Sequence, residues 1–285
     1  MCNFWIIFLL CELIKELMSE DRWALTTWQD ALKWCKDRNK ENIRCTIDAL
    51  GEDVNSNEQV INTVDNYIEN AKTVRSKKID ASFALKLTAL GANIDQKYCK
   101  QNLLKIYEEV NNKLSVGLEI DMEGTPFVDF TIETVLECAN QKYPVTLALQ
   151  AYLDRTMDDM NRAIENGIKV RLVKGAYFGN TEDFTEIQSR FRKLVEVLLE
   201  SNVDFCIGTH DPELIEWVRG HCIENIDQIE FGLLKGLGDK TKLMLVNEGW
   251  KVSEYVPFGT EVEAYKFRRE RYLKDLNDLG RLPAP

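Results

Sequence analysis

From residue 43 the chain alternates between two patterns of hydrophobic and polar positions. Short apolar runs rich in Val, Ile and Leu read as strands buried on both faces. They fall at 43–51, 83–91, 116–124, 145–152, 169–177, 203–211, 226–234 and 251–259. Between them, apolar residues recur every three or four positions, the period of a helix with one buried stripe. That spacing predicts helices over 57–75, 97–113, 129–141, 157–166, 184–201, 212–222 and 238–248, and a last one over 261–277. Strict strand–helix alternation requires parallel strands joined by right-handed crossovers. Eight units predict an α/β fold, a closed (β/α)8 barrel of the TIM type. Six or seven would have pointed to an open doubly wound sheet.

The barrel is read over residues 42–285 and an N-terminal helical segment over 1–41. Leu25, Trp28, Leu32 and Trp34 or Cys35 share one side of the stretch 19–41, which predicts a helix docked on the barrel's outside. Phe4, Ile7, Leu10, Cys11 and Ile14 also sit at helical spacing. They predict an amphipathic helix that packs on the domain or on another subunit, so an oligomer stays open; the alternative is a membrane-surface helix, against which its weak basic content counts. The apolar run from Phe4 to Leu10 is too short to span a bilayer, and it lacks the basic flank and small-residue site of a signal peptide.

Composition narrows the function. The 285 residues carry a net charge of −11, which counts against a nucleic-acid binder with its basic face. The eight cysteines are dispersed without a Cys-x-x-Cys pair, and only His210 and His221 offer imidazole. A structural zinc site and a disulfide scaffold are both disfavoured, and no metal is expected. Unpaired cysteines in a chain this long point to a reducing, cytoplasmic compartment.

Barrels of this kind keep their chemistry at the carboxyl ends of the strands and in the following loops. Taken strand by strand, that rule collects Asp48 and Glu52, Lys86, then Asp121, Met122 and Glu123, then Gln150 and Tyr152. It continues with Arg171, Lys174 and Tyr177, then Thr209, His210 and Asp211, then Glu230, and finally Tyr255. A charge buried without a partner is costly, so Lys86, Asp121 and Arg171 inside apolar runs argue for a shared site. Lys and Arg beside the small Gly175–Ala176 pair suit a polyanionic cofactor that the backbone approaches closely. The stretch "GLGDKT" at 236–241 lacks the Gly-Lys order of a phosphate loop, and no Gly-x-Gly-x-x-Gly follows the first strand. Asp121 and Glu123, two apart on a strand, would share a face, so a metal-dependent barrel hydrolase or lyase stays open on these residues alone. A non-enzymatic subunit of a larger assembly is a third reading.

Six segments then carry a resemblance: "ALKLTALG" (84–91), "EIDMEG" (119–124), "QAYLDRT" (150–156), "RLVKGAY" (171–177), "GTHDP" (208–212), and "YVPFG" followed by "AYKFRR". In this order they resemble the proline dehydrogenases, flavin-dependent barrels that oxidise L-proline to pyrroline-5-carboxylate. The likeness runs from about Trp23 to about Tyr272. It implies hydride transfer from proline C5 to flavin N5, with FAD as the cofactor in preference to FMN. It implies a quinone as electron acceptor, hence peripheral membrane contact, and a pyrroline-5-carboxylate dehydrogenase acting downstream. By the same resemblance Lys86, Arg268 and Arg269 hold the substrate carboxylate. Tyr255, Tyr265 and Leu234 wall the ring, with Tyr177 and Ala176 nearby. Asp121 pairs with Lys86 beneath the substrate, and Arg171 lies at the N5 edge. Met122, Gln150, Lys174, Gly175, Ala176, Thr209 and His210 contact the cofactor. Glu52 is the gate that pairs with one of the arginines.

The chain departs from the family pattern at Gly232 and Lys235, at Phe258 and at Tyr272. Tyr272 stands where a Glu often follows the arginines by one turn. In the last helix Tyr265, Arg268, Arg269 and Tyr272 lie at i, i+3, i+4 and i+7 and so share one face.

Overall fold

The computed structural model describes residues 22–278 and 280, apart from 178 and 202. The amphipathic stretch around Phe4–Ile14 lies outside the described residues. Eight parallel strands close into a barrel in sequence order. They are β1 (Arg44–Ala49), β2 (Ala81–Leu85), β3 (Gly117–Ile120), β4 (Thr146–Gln150), β5 (Lys169–Val173), β6 (Phe205–Gly208), β7 (Ile229–Leu234) and β8 (Lys251–Phe258). The long β1–β8 ladder, from Arg44↔Ser253 to Ala49↔Phe258, completes the ring.

Outside it lie α1 (Trp28–Lys40), α2 (Asn57–Ser76), α3 (Gln96–Ile106), α4 (Val128–Asn140), α5 (Thr156–Glu165), α6 (Phe184–Glu200), α7 (Pro212–His221), α8 (Asp239–Asn247) and α9 (Glu263–Asp278). Several starts are fixed by side chains that take up the unpaired N–H groups of the first turn. Thr27, Ser56 and Asp95 cap α1, α2 and α3 in this way. The helix expected over 97–113 is α only to Ile106 and continues as a wider π turn, Tyr107–Asn112.

The strands are shorter than the apolar runs that predict them. β2 ends at Leu85, so Lys86 is in a loop and Thr88–Leu90 form a 3-10 turn. The run stays apolar past the strand because Leu87, Ala89 and Leu90 are buried as well. A second correction concerns Leu25. Helix α1 starts only at Trp28, behind the Thr27 cap. Leu25 is instead extended and bridges Phe258 at the end of β8. Its N–H donates to the Pro257 carbonyl at 2.9 Å, and Gly259 donates back to Leu25 at 2.8 Å. The segment before α1 therefore crosses to the carboxyl end of the barrel.

On the outer face of β8, α1 is fastened by charge. Trp34 Nε1 donates to Glu254 at 2.6 Å, and Arg38 and Lys242 pair with the same carboxylate at 3.1 and 2.5 Å. Among the described residues no helix is long and apolar enough to cross a membrane.

Candidate active site

The even-spaced residues of each strand point inward, and at the carboxyl end they line a cavity. Its empty volume, open mouth included, is about 1170 Å3. Small side chains on five strands, Thr46, Ala148, Gly208, Gly232 and Ser253, make its floor. Every residue singled out above for catalysis, substrate or cofactor lines it: Lys86, Asp121, Met122, Gln150, Arg171, Lys174, Gly175, Ala176, Tyr177, Thr209, His210, Leu234, Tyr255, Tyr265, Arg268 and Arg269. Glu52 stands at its edge.

The inner end is an ionic cluster. Lys86 Nζ lies 2.8 Å from Asp48 and 3.1 Å from Asp121. Arg171 pairs with the other oxygen of Asp121, and Tyr255 donates its hydroxyl to Asp121 at 2.6 Å. Burial opposes the charge on Asp121, yet Lys86 and Arg171 outweigh it and hold the carboxyl below its ordinary range. Lys86 behaves in parallel: burial works against its charge, and Asp48, Tyr255 and Asp121 raise it well above the usual value. Asp48, wholly buried, is pushed up by burial, against the pull of Lys86.

One wall is aromatic and cationic. The rings of Tyr255 and Tyr265 are parallel within 5°, with centroids 6.5 Å apart. Arg269 lies over the Tyr265 ring at 4.6 Å, and Arg268 over Tyr177 at 4.8 Å. Arg268 grips both oxygens of Glu52, at 2.6 and 3.0 Å, and Tyr177 donates to Glu52 at 3.2 Å.

The outer part is built on the β5 loop. Gly175 has φ +137° and its backbone passes so close to Tyr152 that an added Cβ would lie 1.7 Å from that ring. Gln150 accepts the Tyr152 hydroxyl at 2.7 Å and the Ala176 N–H at 3.3 Å. Lys174 sits over the rings of Phe184 and Tyr272, at 3.7 and 4.6 Å. His210 accepts the Leu234 N–H on Nε2 at 2.8 Å, which leaves its ring proton on Nδ1. Burial, then the cations Lys242, Arg269 and Lys174, push His210 well below its usual range, so the imidazole is neutral.

Two sequence assignments are corrected. Glu230 is not at the mouth. It is the second residue of β7 and pairs with Arg44 and Lys169, which open β1 and β5 at the opposite end. Asp121 and Glu123 do not form a pair on one face, because β3 ends at Ile120 and the period-two rule stops there. Glu123 turns to Thr88, whose N–H and hydroxyl it accepts at 3.0 and 2.5 Å. Among the described residues no group of three or more His, Cys, Asp or Glu could hold a metal ion.

Three contributions escaped the sequence reading. Arg271 donates to the carbonyls of Ala176 and Tyr177, at 3.2 and 2.6 Å, and ties α9 to the β5 loop. It stands one position before Tyr272, outside the i, i+3, i+4, i+7 set, and so gave no signal. Tyr272 accepts the His210 N–H at 3.1 Å, so this departure from the pattern braces the cavity. Trp23, with Leu237 and Tyr265, forms a small second core. The N-terminal crossing there is held by Lys235, which donates to the Arg22 carbonyl at 3.1 Å. Gly236 has φ +76°, and a Cβ on it would stand 2.1 Å from that same oxygen.

Six cations line the cavity (Lys86, Arg171, Lys174, Arg268, Arg269 and Arg271) against two carboxylates, Asp121 and Asp275. A closed parallel barrel with a positively charged, tyrosine-walled cavity at its carboxyl end is built as an enzyme for anionic ligands. The family follows from comparison. A family model described as proline dehydrogenase matches residues 31–270, and the chain belongs to that family. Proline dehydrogenase 2 of Bacillus subtilis strain 168 is 30% identical over 239 residues, covering 81% of this chain and 78% of its own. Proline dehydrogenase of Deinococcus radiodurans is 24% identical, covering 90% of this chain and 88% of its own. The crystal structure of proline utilization A (PutA) from Bdellovibrio bacteriovorus, inactivated by N-propargylglycine, shares the fold with a TM-score of 0.80 at 20% identity. It covers 87% of this chain, which in turn spans only 32% of that longer protein.

Proposed function

We propose that the chain oxidises L-proline to 1-pyrroline-5-carboxylate with FAD as its cofactor. The observation that carries this is one cavity that joins a tyrosine wall to cations at both ends. The space beside the tyrosine wall suits an amino-acid carboxylate. Arg268 and Arg269 offer guanidinium forks, and Lys86 adds an ammonium group between Asp48 and Asp121. Arg269 Nε and Tyr265 Oη are buried without a hydrogen-bond partner among the described residues, so polar atoms there are available to a ligand. The outer end suits a phosphate-bearing group, with Lys174 and Arg271 beside the glycine–alanine turn. We take FAD in preference to FMN from the resemblance to the family.

A bound flavin would supply the two-electron oxidation, by uptake of the hydride from proline C5 at N5. The chain's residues do the rest. Tyr255 and Tyr265 would hold the pyrrolidine ring in one orientation beside the bound flavin. The surrounding cations lower the affinity of the substrate amine for its proton and free its lone pair. Arg171, fixed by Asp121, stabilises negative charge where the cofactor accumulates it. Met122, Gln150, Gly175, Ala176, Thr209 and neutral His210 line the cofactor's path. Glu52 closes the mouth through Arg268. We assign a quinone as electron acceptor, reached by peripheral membrane contact from a cytoplasmic enzyme, and a pyrroline-5-carboxylate dehydrogenase as consumer of the product.

The test is the absorbance spectrum of the purified protein. Flavin bands that bleach on addition of L-proline are expected, and their absence sinks the proposal. Tyr255 would crowd a ring hydroxyl, so kcat/KM for L-proline should exceed that for trans-4-hydroxy-L-proline. The reverse order would refute the role given to Tyr255.

A further inference from the structure

Glu123 takes no part in the chemistry above, yet it is only 3% exposed. Both its oxygens are spent on Thr88, which is itself buried. An ionised carboxylate can only accept hydrogen bonds, so the Thr88 hydroxyl must donate to it. The lone pairs of that hydroxyl are thereby left for another donor, and Asp53 N–H takes one at 3.2 Å. Asp53 directly follows Glu52, the residue that grips Arg268. Its backbone is in the left-handed region, φ +60°, which Asp tolerates better than most non-glycine residues and which a hydrogen bond to its N–H helps to fix. Asn93 Nδ2 donates to the Asp53 carboxylate at 3.2 Å and completes the hold.

We infer that Thr88, oriented by Glu123, is a positioning residue for Glu52. The relay runs from Glu123 to the Thr88 hydroxyl, to the Asp53 N–H, and so to the loop that presents Glu52 to Arg268. With this loop fixed, Glu52 holds the Arg268 fork from one side and leaves its other side for a substrate carboxylate. A Thr88 hydroxyl free to turn lets the loop drift, and Arg268 loses its orientation.

The relay is also responsive to protonation. Burial pushes the Glu123 carboxyl up to about 7, with Glu52 adding to the rise and Thr88 and Lys86 opposing it. Cys99 on α3 and Tyr177 on the β5 loop also feel its charge, and Gln150 donates to its backbone carbonyl. A neutral Glu123 can donate, which removes the compulsion on the Thr88 hydroxyl.

The inference rests on the proline reading of the site, and the test separates the two. Thr88→Val keeps the shape and removes the hydroxyl, and Thr88→Ser restores it. In the holoenzyme, Thr88→Val should raise KM for proline about fivefold, with kcat within about twofold of wild type. It should weaken binding of cyclopentanecarboxylate, which has ring and carboxylate but no oxidisable amine, by the same factor. Thr88→Ser should stay within about twofold of wild type on both measures. Amide exchange at Asp53 should speed up in Thr88→Val without any substrate, a readout that stands even if proline is not the substrate. Unchanged Asp53 exchange in Thr88→Val overturns the inference. So does a fall in kcat with KM unchanged, or a Thr88→Ser variant that behaves like Thr88→Val. Should Thr88→Val fail to fold, Glu123→Gln keeps the test alive. Wild-type KM should change between pH 6 and 8 and that of Glu123→Gln should not, and equal profiles for the two overturn the inference.

Discussion

At the amino end of the barrel, Glu230 meets Arg44 at 3.6 Å, Lys169 at 3.4 Å and the Ser253 hydroxyl at 2.7 Å. Glu119 beside it accepts Thr46 and Ser82 hydroxyls at 3.0 and 2.5 Å. Two cations there balance two carboxylates. At the carboxyl end, six cations along the cavity meet Asp121 and Asp275 in its lining and Asp48, Glu52 and Asp211 beside it. Both ends bury charge in parallel strands, so burial alone marks neither as a site. The difference lies in surplus and in room. The lower cluster is balanced, with Arg171 of the upper one reaching Glu119 at 3.6 Å, whereas the upper one keeps a positive charge in excess of its carboxylates, directed into a walled space. Such an imbalance is tolerable only where an anion completes it.

The largest effect is expected where the upper cluster is densest. Lys86→Met leaves Asp48 and Asp121 buried beside one another with one cation fewer. Removing one partner of a buried pair costs about 3–5 kcal/mol, so stability should drop by that order and proline oxidation should be lost. Urea unfolding and flavin-bleaching rates would show it, and a fully stable, active variant would break the comparison.

Next come two carboxylates of the same region with opposite pH signs. The Asp121 carboxyl is depressed when folded, so its stabilisation is present above the ordinary aspartate value and disappears as pH falls through the folded one. Glu123 is raised to about 7 from 4.5. Its stabilisation is complete below about 4.5 and declines as pH rises through 7, by about 3 kcal/mol over that window. Glu123→Gln should flatten this decline in thermal unfolding between pH 5 and 8, and an unaltered slope would assign it elsewhere.

A smaller effect tests the surplus charge itself. Arg268→Lys and Arg269→Lys keep the charge and lose the fork, and each should raise KM for proline at least about tenfold, roughly 1.4 kcal/mol. Wild-type KM in both would dissolve the clamp. Smallest in its effect on KM is Glu230→Gln at the balanced end, with a loss of about 1–3 kcal/mol in stability and an unchanged KM. A KM shift there would erase the distinction between the two ends.

The alternation of patterns made the barrel legible, because both faces of each parallel strand are buried and each crossover helix shows one apolar stripe. The helical face of Tyr265, Arg268, Arg269 and Tyr272 was legible for the same reason, since spacing alone brings them together. Where a strand stops was less legible. Apolar residues such as Leu87 continue inward after β2, and Glu230 sits in an apolar run whose two ends look alike. Contacts between distant segments left no local trace. The Asp48–Lys86 pair, the Arg271 tether and the Thr88–Asp53 bond depend on closure of the ring, which no periodicity records.

The crossing of residues 22–25 over the mouth bears on the order of folding. Leu25 bridges Phe258, Arg22 receives Lys235, and Trp23 packs on Tyr265. These pairings join the early and late parts of the chain, as does the β1–β8 ladder. Contacts so distant in sequence form slowly, because a long loop must close before they are rewarded. The βα units can therefore take shape one after another as the chain is synthesised, while the tyrosine wall waits for β8 and α9. The tyrosine wall of the cavity, made by Tyr255 of β8 and Tyr265 of α9, is therefore complete only when the barrel has closed.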